Sequence, residues 1–269
     1  MSLDPLVTPD SIPPHAVLCD VRFRLGDPTA GRDAYDKGHI PGAIYFDLEH
    51  DLSDMSRPGG RHPLPAPADF TQLLGRSGIL PDTPVVACDD AGGAVAARLW
   101  WMLRSIGHDR AAVLDGGIQA WMAAGGRLDT GVPSPRPTAY PAAEWTGVVD
   151  WRGAAEAARE GRLIDARSPA RFRGDKEPID PIAGHIPRAR NIPHTEMVTP
   201  DGLMRPPPDL AARVGDVAGD HVVYCGSGVT VARIILAAAH AGRPQPRLYA
   251  GSWSDWIARP GAPVATGPA

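Results

Sequence analysis

Four short blocks of this 269-residue chain occur twice, in the same order. Leu18–Arg22 (L-C-D-V-R) returns as Leu163–Arg167 (L-I-D-A-R), and Gly38–Ala43 (G-H-I-P-G-A) returns as Gly184–Ala189 (G-H-I-P-R-A). The apolar run Val85–Val86 before Cys88 and Asp89 has its counterpart in Val222–Val223 before Cys225, and Gly116 with Trp121 in Gly251 with Trp256. The separations run from 135 residues (Gly116 to Gly251) to 146 (Gly38 to Gly184). A period that long describes two copies of a whole domain, not a solenoid of short repeats. Whatever one copy folds into, the chain must contain twice.

Between the copies, residues 125–147 are rich in Gly and Pro, including Pro133, Pro135, Pro137 and Pro141, the composition of a linker. The expected division is residues 1–125, a linker at 126–147, and residues 148–269. In the first copy, short apolar runs near 16–19, 43–46, 85–88 and 111–114 alternate with helical patterns near 29–37, 67–76, 93–105 and 117–124. This alternation predicts an α/β fold in each copy, a mostly parallel sheet with helices on both faces. Ligands of such sheets bind at the carboxyl ends of strands.

One strand end differs between the copies. Val222–Thr230 reads V-V-Y-C-G-S-G-V-T, followed by Val231, Ile234, Ile235 and Ala238 at helical spacing: a strand, a tight loop and a helix. Cys225 then sits at the strand's carboxyl end, ringed by loop N–H groups and facing a helix N-terminus, where partial positive charge favours thiolate, the nucleophilic form. Alignment of the copies puts Tyr224 opposite Cys88 and Cys225 opposite Asp89. The first copy has an aspartate where the second has the nucleophile, so its loop is incapable of thiol chemistry. Cys19 and Cys88 lie inside predicted strands without a glycine-spaced loop and read as packing cysteines.

Net charge of −4 with no run of Lys or Arg excludes a nucleic-acid partner or an anionic membrane surface. No stretch approaches the roughly 18 apolar residues of a membrane span. The start lacks the basic and apolar regions of a signal peptide, and three cysteines make no disulfide framework, so the expected compartment is the cytoplasm. A phosphatase-type C-x5-R loop is absent, since the sixth residue after Cys225 is Val231. Also missing are H-E-x-x-H, C-x-x-C, G-x-x-x-x-G-K-[ST] and G-x-S-x-G.

The doubled G-H-I-P block, the D-x-R strands, the Gly and Trp elements and the loop Cys225–Thr230 together resemble the rhodanese-type sulfurtransferases over nearly the whole chain, in the tandem form whose N-terminal domain is inactive. The loop C-G-S-G-V-T is similar to that of 3-mercaptopyruvate sulfurtransferases, whereas thiosulfate sulfurtransferases more often carry Arg and Lys at the positions of Gly226 and Ser227. The resemblance implies a persulfide on Cys225, ping-pong kinetics, no cofactor and no metal. It implies 3-mercaptopyruvate or thiosulfate as sulfur donor, and as acceptor thioredoxin, a small thiol or cyanide. A non-enzymatic binding module is the remaining alternative, one that suits rhodanese-like domains without their cysteine.

The same resemblance assigns roles. Ser227, with His62 from R-H-P-L-P and Glu49 from F-D-L-E, implies a relay that protonates the leaving enolate, with the first domain lending a wall of the cleft. Arg171, in D-A-R-x-x-x-R-F, is the implied substrate arginine, with Gly226, Gly228, Val229 and Thr230 of the loop as further substrate-binding positions. Arg167 reads as an ion-pair partner of Asp165. A second arginine expected in E-P-R is Ile179 here, which weakens the carboxylate clamp unless Arg173 or Arg188 replaces it. Because Gly226 and Ser227 are neutral, the loop favours mercaptopyruvate over the thiosulfate dianion. His39, His185, Asp20 and Asp165 occur in both copies and read as structural.

Overall fold

Val85–Cys88 (β4) is apolar at every position and fully buried, the pattern of a central parallel strand covered on both faces. In this computed structural model, which describes residues 3–268, β4 lies between Val17–Asp20 (β2) and Ala111–Leu114 (β5). Leu6–Val7 (β1) and Ile44–Tyr45 (β3) are the two-residue edges of the sheet, and every pairing is parallel. The helices are Ala30–Lys37 (α1), Pro67–Arg76 (α2), Ala96–Ser105 (α3) and Gly117–Ala123 (α4). The strand order is β1-β5-β4-β2-β3.

The second copy repeats this order. Val148–Val149 (β6), Leu163–Asp165 (β7), Arg190–Asn191 (β8), Val222–Tyr224 (β9) and Arg247–Tyr249 (β10) form a parallel sheet ordered β6-β10-β9-β7-β8. Its helices are Trp151–Arg159 (α5), Pro169–Arg173 (α6), Pro207–Val214 (α7), Ala232–His240 (α8) and Ser252–Ile257 (α9). Asp150 caps α5 by accepting the N–H groups of Arg152 and Gly153. Leu163, Phe172, Ile186, Tyr224, Trp253 and Trp256 share one core, each such side chain contributing roughly 1.5–3 kcal/mol through burial. The alternation read from the sequence is therefore correct; the edge strands β1 and β6 are too short to leave a periodic signal.

The duplicated motifs hold each sheet together in the same way. Arg22 forms a two-pronged pair with Asp20 (Nη2 to Oδ2 2.7 Å) and donates to the carbonyl of Gly38, the first residue of the G-H-I-P block, at 2.8 Å. Arg167 does the same with Asp165 and the carbonyl of Gly184. The D-x-R and G-H-I-P motifs are thus two ends of one clasp. His39 stacks on Tyr35 (3.8 Å between centroids) and His185 on Phe172 (3.7 Å), and each ring makes a hydrogen bond to that neighbour's carbonyl. The backbone of His39 pairs with Asp129, and that of His185 with Ala265, so a tail following each copy zips onto the histidine.

Two compact units interleave along the chain. One comprises the chain up to Asp54, Leu64–Thr146 and Pro200–Met204; the other comprises Met55–Pro63, Gly147–Thr199 and the chain from Arg205. The Pro-rich segment is fixed on the first unit: Thr138 N–H donates to Gly75 O at 2.8 Å, and Trp145 Nε1 to Pro65 O at 3.0 Å. Among the described residues no helix is long and apolar enough to cross a membrane.

Candidate active site

Pairing across each sheet fixes which residues correspond. Asp20 lies beside Cys88 as Asp165 lies beside Tyr224, so the next residues, Asp89 and Cys225, occupy the same place at the carboxyl end of β4 and β9. Each is tied to the helix that follows the neighbouring strand: Asp89 O accepts the N–H of Ile118, and Cys225 O that of Trp253, both at 3.0 Å. Gly226 O accepts from Ser254 N–H at 3.0 Å, and Cys225 N–H donates to Ser252 Oγ at 3.1 Å. Gly228 has φ +78°, and a Cβ there would lie 2.1 Å from Ala250 O. Only glycine fits that approach.

In the first unit the loop holds an anion supplied by its own chain. The two carboxylate oxygens of Asp89 accept the N–H groups of Ala91, Gly93, Val95 and Ala96, all at 2.8–2.9 Å. Such a nest of amides at a helix start is an anion seat. Cys225 enters the corresponding loop with a sulfur in place of that carboxylate. All three cysteines are free thiols. Burial, with the charge of Asp20 nearby, pushes the thiols of Cys19 and Cys88 far up, which keeps both protonated and unreactive.

Two guanidinium groups face the loop. A Cβ on Gly226 would lie 2.8 Å from Arg61 Nη2 and 3.5 Å from both terminal nitrogens of Arg171. Arg171, on α6, donates through Nε to Glu177 (2.9 and 3.0 Å) and through Nη2 to Asp180 Oδ2 (2.8 Å). The other oxygen of Asp180 is paired with Arg61 Nη1. Burial works to raise the carboxyl of Glu177, but Arg171 and the N–H groups of Asp180 and Ile179 outweigh it and hold it below the usual range. Two cations and two carboxylates leave this cluster with no net charge.

His62 and Ser227 meet directly, Nδ1 to Oγ at 2.9 Å, both side chains buried. His194, in the short turn after β8, contacts Arg233 at 3.1 Å; burial and the nearby charges of Arg233 and Arg171 lower it to about 3, so it stays neutral. Among the described residues no three His, Cys, Asp or Glu side chains are grouped to hold a metal ion.

The rhodanese-like domain model matches this chain twice, at residues 10–124 and 150–259. The chain belongs to the rhodanese-like family. A Pseudomonas aeruginosa protein named as a probable 3-mercaptopyruvate sulfurtransferase is 45% identical over 94% of this chain and 93% of its own length. A Mycobacterium tuberculosis relative, 42% identical over 94% of the chain and 91% of its own, is named for thiosulfate instead. Among solved structures, 3-mercaptopyruvate sulfurtransferase from Leishmania major superposes with a TM-score of 0.86 at 31% identity, covering 96% of this chain and 75% of that one.

Within the second rhodanese-like unit the fold brings together Cys225, Gly226, Ser227, Gly228, Arg171 and His62. Val229 is buried, and its carbonyl and that of Thr230 accept the N–H groups of Ala232 and Arg233 at the start of α8. Glu49 belongs to the first unit, half-buried in the turn after β3, where its N–H donates to Asp47. Neither proposed substitute for the missing arginine faces the loop: Arg173 pairs with Asp175, and Arg188 donates to Arg159 O. The residue that sequence reasoning missed is Arg61. Its signal was the pair Gly59-Gly60 before it, since Gly60 has φ +93° and a Cβ there would lie 2.5 Å from Gly251 O. Nor does the neutrality of Gly226 and Ser227 make the surroundings uncharged, because both guanidinium groups reach the loop from other segments.

Proposed function

We propose that this protein is a sulfurtransferase whose second rhodanese-like domain takes sulfane sulfur from 3-mercaptopyruvate and passes it, through a persulfide on Cys225, to a thiol or cyanide. The observation that carries this reading is the equivalence of Cys225 and Asp89: where the first loop seats a carboxylate on four amides, the second presents a sulfur. The Cys225 thiolate attacks the donor sulfur; the carbon–sulfur bond breaks and its electron pair passes to the pyruvate enolate, which takes a proton and leaves as pyruvate. In this reading the Ser227–His62 pair, whose side chains are in contact, delivers that proton. The terminal sulfur of the persulfide sits among the loop amides until an acceptor thiolate attacks it, which returns the Cys225 thiolate. In this reading the first rhodanese-like domain does no chemistry, and a role for Glu49 rests on the family resemblance alone.

Thiosulfate is the second reading. It is favoured by Arg61 and Arg171 beside Gly226, which supply guanidinium N–H donors that the loop's own side chains lack. Side-by-side kcat/KM values with the two donors, cyanide as acceptor, decide between them: mercaptopyruvate should lead, and a preference for thiosulfate overturns that choice. Mass spectrometry after donor treatment should find one added sulfur on the Cys225 peptide and none on Cys19 or Cys88.

A further inference from the structure

We propose that His194 is a specificity-determining residue of the thiol site, an imidazole whose Nε2–H donates to the ketone oxygen of 3-mercaptopyruvate and holds that oxygen as it becomes the enolate. The proposal rests on the mercaptopyruvate reading and adds to it a contact that thiosulfate, with no ketone, lacks.

Backbone pairing puts His194 at the strand end that carries the nucleophile. Just beyond the paired residues Asp165 and Tyr224, Ala166 N–H donates to Tyr224 O at 2.8 Å, and Ala166 O accepts the N–H of His194 at 2.9 Å. Cys225, Ala166 and His194 therefore follow one another across the carboxyl edge of the sheet, two strand spacings or roughly 10 Å from first to last. The residue between them contributes only a methyl group. His194 is also tied to the helix that starts from the loop, since Arg233, in the first turn of α8, contacts its Nδ1 at 3.1 Å. A guanidinium has donors only, so Nδ1 accepts and the neutral ring carries its proton on Nε2. Among the described residues Nε2 has no hydrogen-bond partner, and His194 is partly exposed. Burial, with the charges of Arg233 and Arg171, keeps the ring neutral, and Arg171 is the side chain whose terminal nitrogens face Gly226. The imidazole and the loop share that neighbour.

The first copy shows the same position without the chemistry. Phe46 N–H donates to Asp20 O as Ile192 N–H does to Asp165 O, which aligns Leu48 with His194. Leu48 is apolar and 1% exposed. Both copies keep the arginine, in Ala97-Arg98-Leu99 and Ala232-Arg233-Ile234, but Arg98 donates to Leu52 O at 2.8 Å where Arg233 meets a ring. A packing role is met by leucine; the copy with the nucleophile has a polar donor instead.

A neutral donor suits a ketone. The oxygen is uncharged on arrival and gains negative charge only as the carbon–sulfur bond breaks, so a hydrogen bond to it strengthens toward the transition state. The oxygens of thiosulfate are charged from the start, and the same N–H discriminates less between its bound and reacting forms.

The test is steady-state kinetics on the full-length protein with each donor in turn and cyanide as acceptor. His194→Phe should lower kcat/KM for mercaptopyruvate by about 10- to 100-fold, the range for losing one hydrogen bond to a charged oxygen, and lower that for thiosulfate much less. His194→Gln, which can place an N–H near the Nε2 position, should recover much of the loss. Equal losses with both donors, wild-type rates in His194→Phe, or the same loss in the Phe and Gln variants overturn the proposal. Should His194→Phe fold poorly, nitrogen NMR of the wild-type imidazole decides: His194 should be the Nε2–H tautomer at neutral pH, and its Nε2 resonance should shift when pyruvate, which carries the ketone but no transferable sulfur, is added. An Nδ1–H tautomer or an unmoved resonance overturns the proposal as well. A wild-type protein that uses thiosulfate and not mercaptopyruvate refutes the donor reading itself, and this proposal with it.

Discussion

The loops after β4 and β9 share register, helix start and tie to the following helix, and differ in the side chain that enters them. In one, Asp89 fills the amide nest and closes it permanently. In the other, Cys225 stands at the same backbone position, followed by Gly226, which two arginines face, and Ser227, which His62 meets. A single position thus separates a structural anion, which stabilises its own loop, from a chemical one that must form and disappear.

The comparison is broken most directly by copying one loop into the other. Cys225→Asp should abolish sulfur transfer, at least about 10³-fold in kcat/KM, while keeping thermal stability at or above that of the wild type, because the new carboxylate would take the loop amides. A large loss of stability would show that the two nests are not equivalent. The reverse deletion, Asp89→Ala, should leave several loop N–H groups without their acceptor and cost ~3 kcal/mol or more of stability in urea titrations. His62→Ala should slow kcat with mercaptopyruvate by about 10²-fold, with little change in KM, if the Ser227–His62 pair supplies the proton. Stopped-flow detection of pyruvate would locate that effect in the first half-reaction.

The smallest effect concerns pH. The carboxyl of Glu177 is held below its ordinary value in the folded protein, so its contribution is fully present above the unfolded pKa, near 4.5, and is lost as pH falls through the lower folded value. Glu177→Gln should therefore lower stability at neutral pH, where that contribution is fully present, and flatten the acid limb, so that its difference from the wild type shrinks as pH falls. An unchanged acid limb would mean that the arginines find other partners.

Much of this arrangement is local and was legible in the residues. The two sheets follow from alternation within each copy, and the exchange of Asp89 for Cys225 follows from aligning the copies, since pairing beside Asp20 and Asp165 fixes both strands. The clasp between D-x-R and G-H-I-P is visible as co-occurrence, although its hydrogen bonds are not. What escaped was long-range. Arg61 sits 119 residues before its partner Asp180, in a segment without periodicity, and no helical or strand pattern reports which loop such a segment will meet. The edge strands β1 and β6 escaped because two residues acquire strand character only from the neighbour they pair with. The membership of residues 55–63 in the second unit escaped for the same reason.

That membership bears on how the protein comes into being. Ribosomal synthesis delivers His62 and Arg61 well before the loop they attend, Ser227 following His62 by 165 residues. At about 5–20 residues per second, the segment waits on the order of ten seconds before its docking surface has emerged. The first rhodanese-like sheet has all its strands by then and is free to mature early, whereas the arginine–histidine segment settles last, once the C-terminal helices arrive. Nascent chains stalled short of Ser252 should accordingly expose residues 55–63 to proteases that spare the finished enzyme.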